Sequence, residues 1–242
     1  MKFSQQAKAN LGLGLYAAGI ALGLALALFL TWADFEAAFF DSALKADQEM
    51  KSFSCPLAIT SNETAQITAK ISNPSERPLK TVLRLAQTEG SVIVIKRFEE
   101  RLEFTSGQTL QFSWPVQASD AAWGRFVMAR VYSLASSPLP SMTSYCGILL
   151  INFPFLTGHQ VIALLIVLAL GLVTTGGRTW AANTSQTALA AEKNSRLMLA
   201  YIIVVAIAVA LSMLTGWAIA GLVLVVNIVL TMVILAYRAS HS

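Results

Sequence analysis

Hydrophobic and polar positions fall into two regimes along this 242-residue chain. Residues 11–32 form 22 positions without a charge. As a helix they would span about 33 Å, enough for a hydrocarbon core of about 30 Å. The run is longer than the apolar stretch of a signal peptide, so an uncleaved anchor is expected. Residues 160–177, 197–214 and 217–237 are apolar in the same way. Read as one helix, 197–237 would reach about 60 Å, too long for one crossing, so a break is expected at Thr215-Gly216.

Between these runs the period changes to two. Ile67, Ala69 and Ile71 alternate with Thr68 and Lys70, and Thr81, Leu83 and Leu85 alternate with Lys80 and Arg84. Leu102 and Phe104 alternate with Arg101 and Glu103, and Leu110, Phe112, Trp114 and Val116 with Gln111 and Ser113. Further strands are expected in 91–96, 125–134 and 144–151. Asn73-Pro74-Ser75, Gly90, Ser106-Gly107, a loop over 120–124, Pro138 and Pro140 punctuate them. About seven short strands separated by turn residues predict an antiparallel sandwich with one wet face per strand. Residues 33–52 set Phe35, Phe39, Phe40, Ala43 and Leu44 among acids and lysines, the spacing of an amphipathic helix.

The expected fold is thus an α + β membrane protein: four transmembrane helices with one extracytoplasmic, immunoglobulin-like antiparallel β-sandwich between helices 1 and 2. Its segments are a cytoplasmic N-terminus (1–10), helix 1 (11–32), an amphipathic helical connector (33–52) and the sandwich (53–152). Helix 2 (160–177), a cytoplasmic loop (178–196), helix 3 (197–214), helix 4 (217–237) and a cytoplasmic tail (238–242) follow.

The order of alternating strand, Asn73-Pro74-Ser75 turn, alternating strand, then Gly107-Gln108-Thr109 leading into Phe112-Ser113-Trp114 resembles bacterial immunoglobulin-like modules of the CARDB kind. The resemblance covers residues 57–134. It implies a binding or spacer module of the sort found in surface and adhesion proteins, and no functional residue of that family maps onto this chain.

Composition supports the membrane reading. Apolar residues make up 55% and charged residues 12%, with a mean hydropathy of +0.62; an ordinary globular domain carries about 25% charged residues. The net charge of +4 and pI near 9.2 do not predict nucleic-acid binding, because the charges are segregated. Twelve of the thirteen acids lie between Asp34 and Asp120. Lys2, Lys8, Arg178, Lys193, Arg196 and Arg238 lie outside that stretch and share one side if there are four spans. The positive-inside rule makes that side cytoplasmic, with both termini inside and residues 33–159 outside a plasma membrane.

Cys55 and Cys146 are the only cysteines, and a structural disulfide between them is expected in an oxidising compartment. Their spacing is unlike a redox Cys-x-x-Cys pair, and no histidine stands near them to complete a zinc site. His159 and His241 are each isolated from acids and cysteines, which gives a Ser-His-Asp triad little support. Glu99, Glu100, Glu103 and Asp120 offer carboxylates, but a charged run of this kind is more often a solvated strand face. No P-loop, dinucleotide fingerprint or zinc-protease motif is present, and no catalytic residue, cofactor or metal is expected.

The spans carry no ionisable group in their interiors; Asn227 is their one strongly polar residue, expected to bond a neighbouring helix. Gly19 and Gly23, extended by Gly12 and Ala27, and Ala206 with Ala210 offer small-residue faces for close helix packing. Those faces serve either this helix set or another membrane subunit. Asn62 opens an Asn-Glu-Thr glycosylation acceptor, and Trp123 beside Gly124 is either a loop-packing residue or an exposed interaction anchor. The expected function is that of a non-enzymatic accessory or assembly subunit, or a surface recognition module. Its partners would be the lipid bilayer and another membrane protein or a second copy. A transporter or channel component is the alternative, and a membrane-bound envelope enzyme the second alternative.

Overall fold

The structure is a computed structural model that describes residues 4–43, 45–184, 188–214 and 217–240, with side chains outside 188–194 and 234–240. It is an α + β chain that divides into two compact units, 1–31 with 162–242, and 32–161.

The helical unit contains the first part of α1 (Gln5–Phe39), most of α2 (Gly158–Asn183), α3 (Ala188–Leu214) and α4 (Trp217–Ser240). Among the described residues, three helices are long and apolar enough to cross a bilayer: Gln5–Phe39, Gly158–Asn183 and Ser195–Leu214; a shorter apolar helix covers Trp217–Val233. Tyr16, Ile20, Val173 and Val205 form a small buried cluster between α1, α2 and α3. The Tyr16 hydroxyl donates to Met198 O at 2.9 Å. Helices α2 and α3 extend beyond the expected spans into the segment read as a loop, 178–196. Ala188, Leu189, Ala190, Ala191, Glu192 and Lys193 are strong helix formers, which a polarity argument overlooks. The expected break at Thr215-Gly216 lies outside the described residues, as does His241.

The second unit carries eight strands: β1 (Gln48–Glu49), β2 (Ala58–Thr60), β3 (Thr64–Ser72), β4 (Leu79–Thr88), β5 (Ile95–Phe104), β6 (Thr109–Gln117), β7 (Phe126–Ser133) and β8 (Met142–Ile151). One sheet has the order β1-β8-β7-β4-β5 with β2 also on β8; β3 and β6 form a second, antiparallel pair. The two sheets share a core. Ile67, Ile71, Trp114 and Val116 of the small sheet meet Leu83, Leu85, Val127, Val131 and Ile148 of the large one.

The strand pattern follows the alternation where only one face is covered. In β3, Ile67, Ala69 and Ile71 are buried between more exposed neighbours. In β7 nearly every residue is buried. Val127, Ala129 and Val131 face the shared core, while Met128 packs with Ala37 and Phe40 from the end of α1.

Three expectations are corrected. The large sheet is mixed, because β1 and β2 both run parallel to β8. The end of α1 passes Gly147 at Ala33 and reaches Arg130, level with Tyr145, at Phe40, so it runs against β8. The chain turns at 40–43, and β1 then runs parallel to β8. Residues 33–52 are not one helix: α1 stops at Phe39, Asp41 takes the left-handed conformation (φ +45°) that ends helices, and β1 follows. Finally, the strand expected in 91–96 is not separate. Residues 91–94 form a bent loop and Ile95–Phe104 is a single strand.

Candidate functional site

The densest polar chemistry of the strand-bearing unit lies where the end of α1 meets the outer face of the large sheet. A helix leaves its last carbonyls without intrahelical donors. Here Arg130, inside β7, supplies them: its Nε donates to Phe40 O at 2.7 Å and one Nη to Ala38 O at 2.6 Å and Ala37 O at 3.4 Å. Its guanidinium also lies 5.3 Å from the Tyr145 ring centroid, cation over ring. A fixed cation at a helix C-terminus also complements the helix dipole. Burial pushes the Arg130 guanidinium below its usual range, against the pull of Tyr145 and Asp41 in the other direction.

Two turns back along α1, Asp34 accepts the Gly147 N–H at 3.0 Å. This residue lies past the 11–32 run and within the strand-bearing unit. Burial raises its carboxyl to about 6, and the bond from Gly147 opposes that rise. Gly147 is required here, because an added Cβ would collide with the backbone of Ala33.

Beside this junction is a cavity of about 360 Å³ lined by Asp41, Arg84, Arg97, Glu99, Arg130 and Tyr132 among others. Arg84 and Glu99 pair across β4 and β5 at 3.0 Å, and Arg97 lies 3.9 Å from Asp41. Arg97 and Arg84 are substantially exposed, whereas Arg130 is spent on the helix end. The recess therefore presents two accessible guanidiniums, each facing a carboxylate, with the buried Arg130 behind them.

The residues singled out in the sequence are dispersed. Cys55 and Cys146 form a disulfide, tying the segment before β2 to the middle of β8. Glu99 and Glu103 make cross-strand pairs with Arg84 and Lys80. Asp120 is buried, accepts Gln117 N at 2.8 Å and closes a short turn, with Lys96 3.9 Å away. His159 and Glu100 are exposed. No group of three or more potential metal ligands occurs among the described residues. Asn62 is exposed in the turn between β2 and β3, and Trp123 is 59% exposed.

Among the helices, an added Cβ on Gly12 or Gly19 would strike the α2 backbone, and one on Gly23 would approach Val205 of α3 at 3.3 Å. Ala206 and Ala210 are exposed, while Val205, Ala208 and Ser212 are buried among the described residues of α3, so the small-residue face expected there is left open rather than packed within this helix set. Val205, one position away, packs with Tyr16, Ile20 and Val173. Asn227 is fully buried, yet its Nδ2 donates to Val223 O of its own helix at 2.9 Å, and its Oδ1 has no partner among the described residues. Among the described residues it makes no bond to another helix.

Arg130, Asp34 and Gly147 carry no signal in a single sequence. Arg130 reads as one polar position in a strand, and Asp34 as one acid in an amphipathic run.

No protein-family model and no curated protein matches this chain. Solved structures with some likeness include a Bacteroides uniformis β-glucuronidase, at 14% identity and a TM-score of 0.29 over 39% of this chain and 12% of that one. Another is a Paenibacillus sp. cycloisomaltooligosaccharide glucanotransferase, at 12% identity and 0.32 over 46% and 15%. The chain spans under a fifth of either protein. At these scores the likeness carries no argument about this chain.

Proposed function

We propose that this chain is a multi-pass membrane protein that displays an immunoglobulin-like domain outside the plasma membrane, as an accessory subunit or recognition module. The observation that carries the reading is the apolar exterior of the helices. Leu164, Val167 and Leu168 of α2 and Leu222, Val225, Val226 and Val229 of α4 are exposed, a surface suited to lipid or to a neighbouring membrane protein. The disulfide supports an oxidising compartment for the other unit. The two-sheet core and the turn order support an immunoglobulin-like module. With the segregated lysines and arginines, four crossings place both termini inside and residues 33–159 outside.

The recess beside Arg97 and Arg84 is the recognition surface this reading favours, for an acidic group on a partner. Gentle extraction and affinity isolation of the full-length protein tests the subunit role. A stoichiometric membrane partner is expected, lost on Arg97→Glu; recovery only as a free monomer overturns it. Protease added outside sealed cells is expected to cut within 33–159 and to spare both termini.

A further inference from the structure

Strand register decides which loops share an end of the second unit. Phe126 pairs with Leu149, and Ala58 also pairs with Leu149. Gln87 pairs with Ala129, and Thr88 with Ile95. The 89–94 loop, the 121–125 turn and the segment after Ile151 therefore project from one end. The turns at 73–77 and 105–108 project from the other. Arg125 O accepts Leu150 N at 2.7 Å, and a Cβ on Gly90 would lie 3.9 Å from Ser119 O, which holds the first group together.

The two ends differ in chemistry. At the first, Ile93 is 86% exposed, Phe155 85% and Trp123 59%, with Val94 and Phe153 also exposed. At the other, Glu76, Arg77, Ser106 and Gly107 are exposed. Trp123 is held at φ +53° beside Gly124 at +63°. A bulky residue in the left-handed region is a genuine outlier, and here the strained turn presents an indole outward. Such strain is retained where surrounding structure or function demands it.

The same end is where the chain enters and leaves this unit. Ala33 lies against Gly147, and Gly158 lies against Ala58 with its N–H donated to a Glu63 carboxylate oxygen at 2.7 Å. The residues just beyond, in α1 and α2, are the apolar runs. Apolar runs suited to crossing a bilayer therefore join the unit at this end of its chain path. We infer that Ile93, Val94, Trp123, Phe153 and Phe155 insert into the headgroup–acyl boundary of that bilayer, so that lipid is the occupant of the patch. This rests on the membrane-spanning reading proposed above. Amphipathic tryptophan is suited to that boundary, and apolar tips gain by leaving water. Exposed Arg125 and Glu89 carry opposite charges at this end, so the insertion does not depend on anionic lipid.

The test uses the full chain with its disulfide intact, in phosphatidylcholine nanodiscs. Single nitroxide labels are placed by Ile93→Cys, Phe155→Cys, Glu76→Cys and Leu168→Cys. Collision with oxygen, which concentrates in lipid, is compared with collision with a water-soluble nickel chelate. Positions 93 and 155 are expected to lose nickel access while keeping oxygen access, as at 168, whereas 76 keeps nickel access. Nickel access at 93 and 155 equal to that at 76, with 168 in lipid, overturns this inference alone. Exclusion of both reagents at 93 and 155 means a protein covers the patch and also overturns it. Nickel access at 168 overturns the membrane-spanning reading and this inference together. As an unlabelled check, brominated phosphatidylcholine should quench the native protein more than Trp123→Phe. Equal quenching counts against insertion of that side chain.

Discussion

Arg130 shows how one side chain can end a helix from outside it. Its bonds to Phe40 O and Ala38 O supply donors at the helix end, and its third reaches Ala37 O, which also accepts the Phe40 N–H. Arg130→Met keeps the stem and removes the donors, and should cost about 2–4 kcal/mol, since charged hydrogen bonds contribute about 1.5–3 kcal/mol and orphaned carbonyls add to the loss. A lowered midpoint in thermal unfolding of the full-length protein, partly restored by Arg130→Lys, is the expected result. Asp34 makes a pH prediction. Its carboxyl is protonated in folded and unfolded chains below its ordinary value of 3.8, and between there and about 6 the folded protein alone holds the proton. Its contribution to stability is therefore fully present in acid and lost as pH rises through about 6. Asp34→Asn should flatten that segment of the stability–pH curve; an unchanged slope counts against the assignment. Neither residue was legible in the sequence, because each acts through a contact at least 90 positions away. The cysteines were legible because a lone pair in a segment rich in turn signals has few other chemical uses.

Among the elements, legibility tracked how many faces each one covers. Strands β3 and β6 expose one face, and their alternation marked them with nearly correct bounds. β7 is covered on both sides, so its run of buried residues hid which face meets the core and which meets α1. The end of α1 was misread because acids and phenylalanines at helical spacing continue past Phe39; the stop depends on Asp41 and on Arg130 from a distant strand. Close approach at Gly147 makes a sharp element-scale prediction. Gly147→Ala places a Cβ into the Ala33 backbone and should destabilise by about 1–3 kcal/mol, the usual range for overpacking. Hydrogen exchange should then quicken at the end of α1 and in β8. Exchange quickened only in β3 and β6 contradicts that placement.

Across the whole molecule, the division into a helical and a strand-bearing unit was visible as a change of hydrophobic period, and the structure draws it near Trp32 and Val161. The parallel pairing of β1 and β2 with β8 was not visible, because nothing local fixes the direction in which a short strand joins a distant one. The disulfide acts at this scale. Its ends lie 91 positions apart, a loop whose closure is worth about 4–5 kcal/mol in the chain-entropy model. Replacing Cys55 and Cys146 together by alanine should lower the unfolding midpoint of the strand-bearing unit while leaving the helical signal largely intact; loss of both together contradicts independent units.

The bond between Cys55 and Cys146 also makes the intervening chain a closed ring. A protease that severs the exposed turn at Ser106-Gly107 opens that ring at one point without separating the pieces. The nicked protein should migrate as one species on a non-reducing gel and as two fragments once thiol is added. Damage at an outer loop would thus leave both halves attached until the surroundings became reducing.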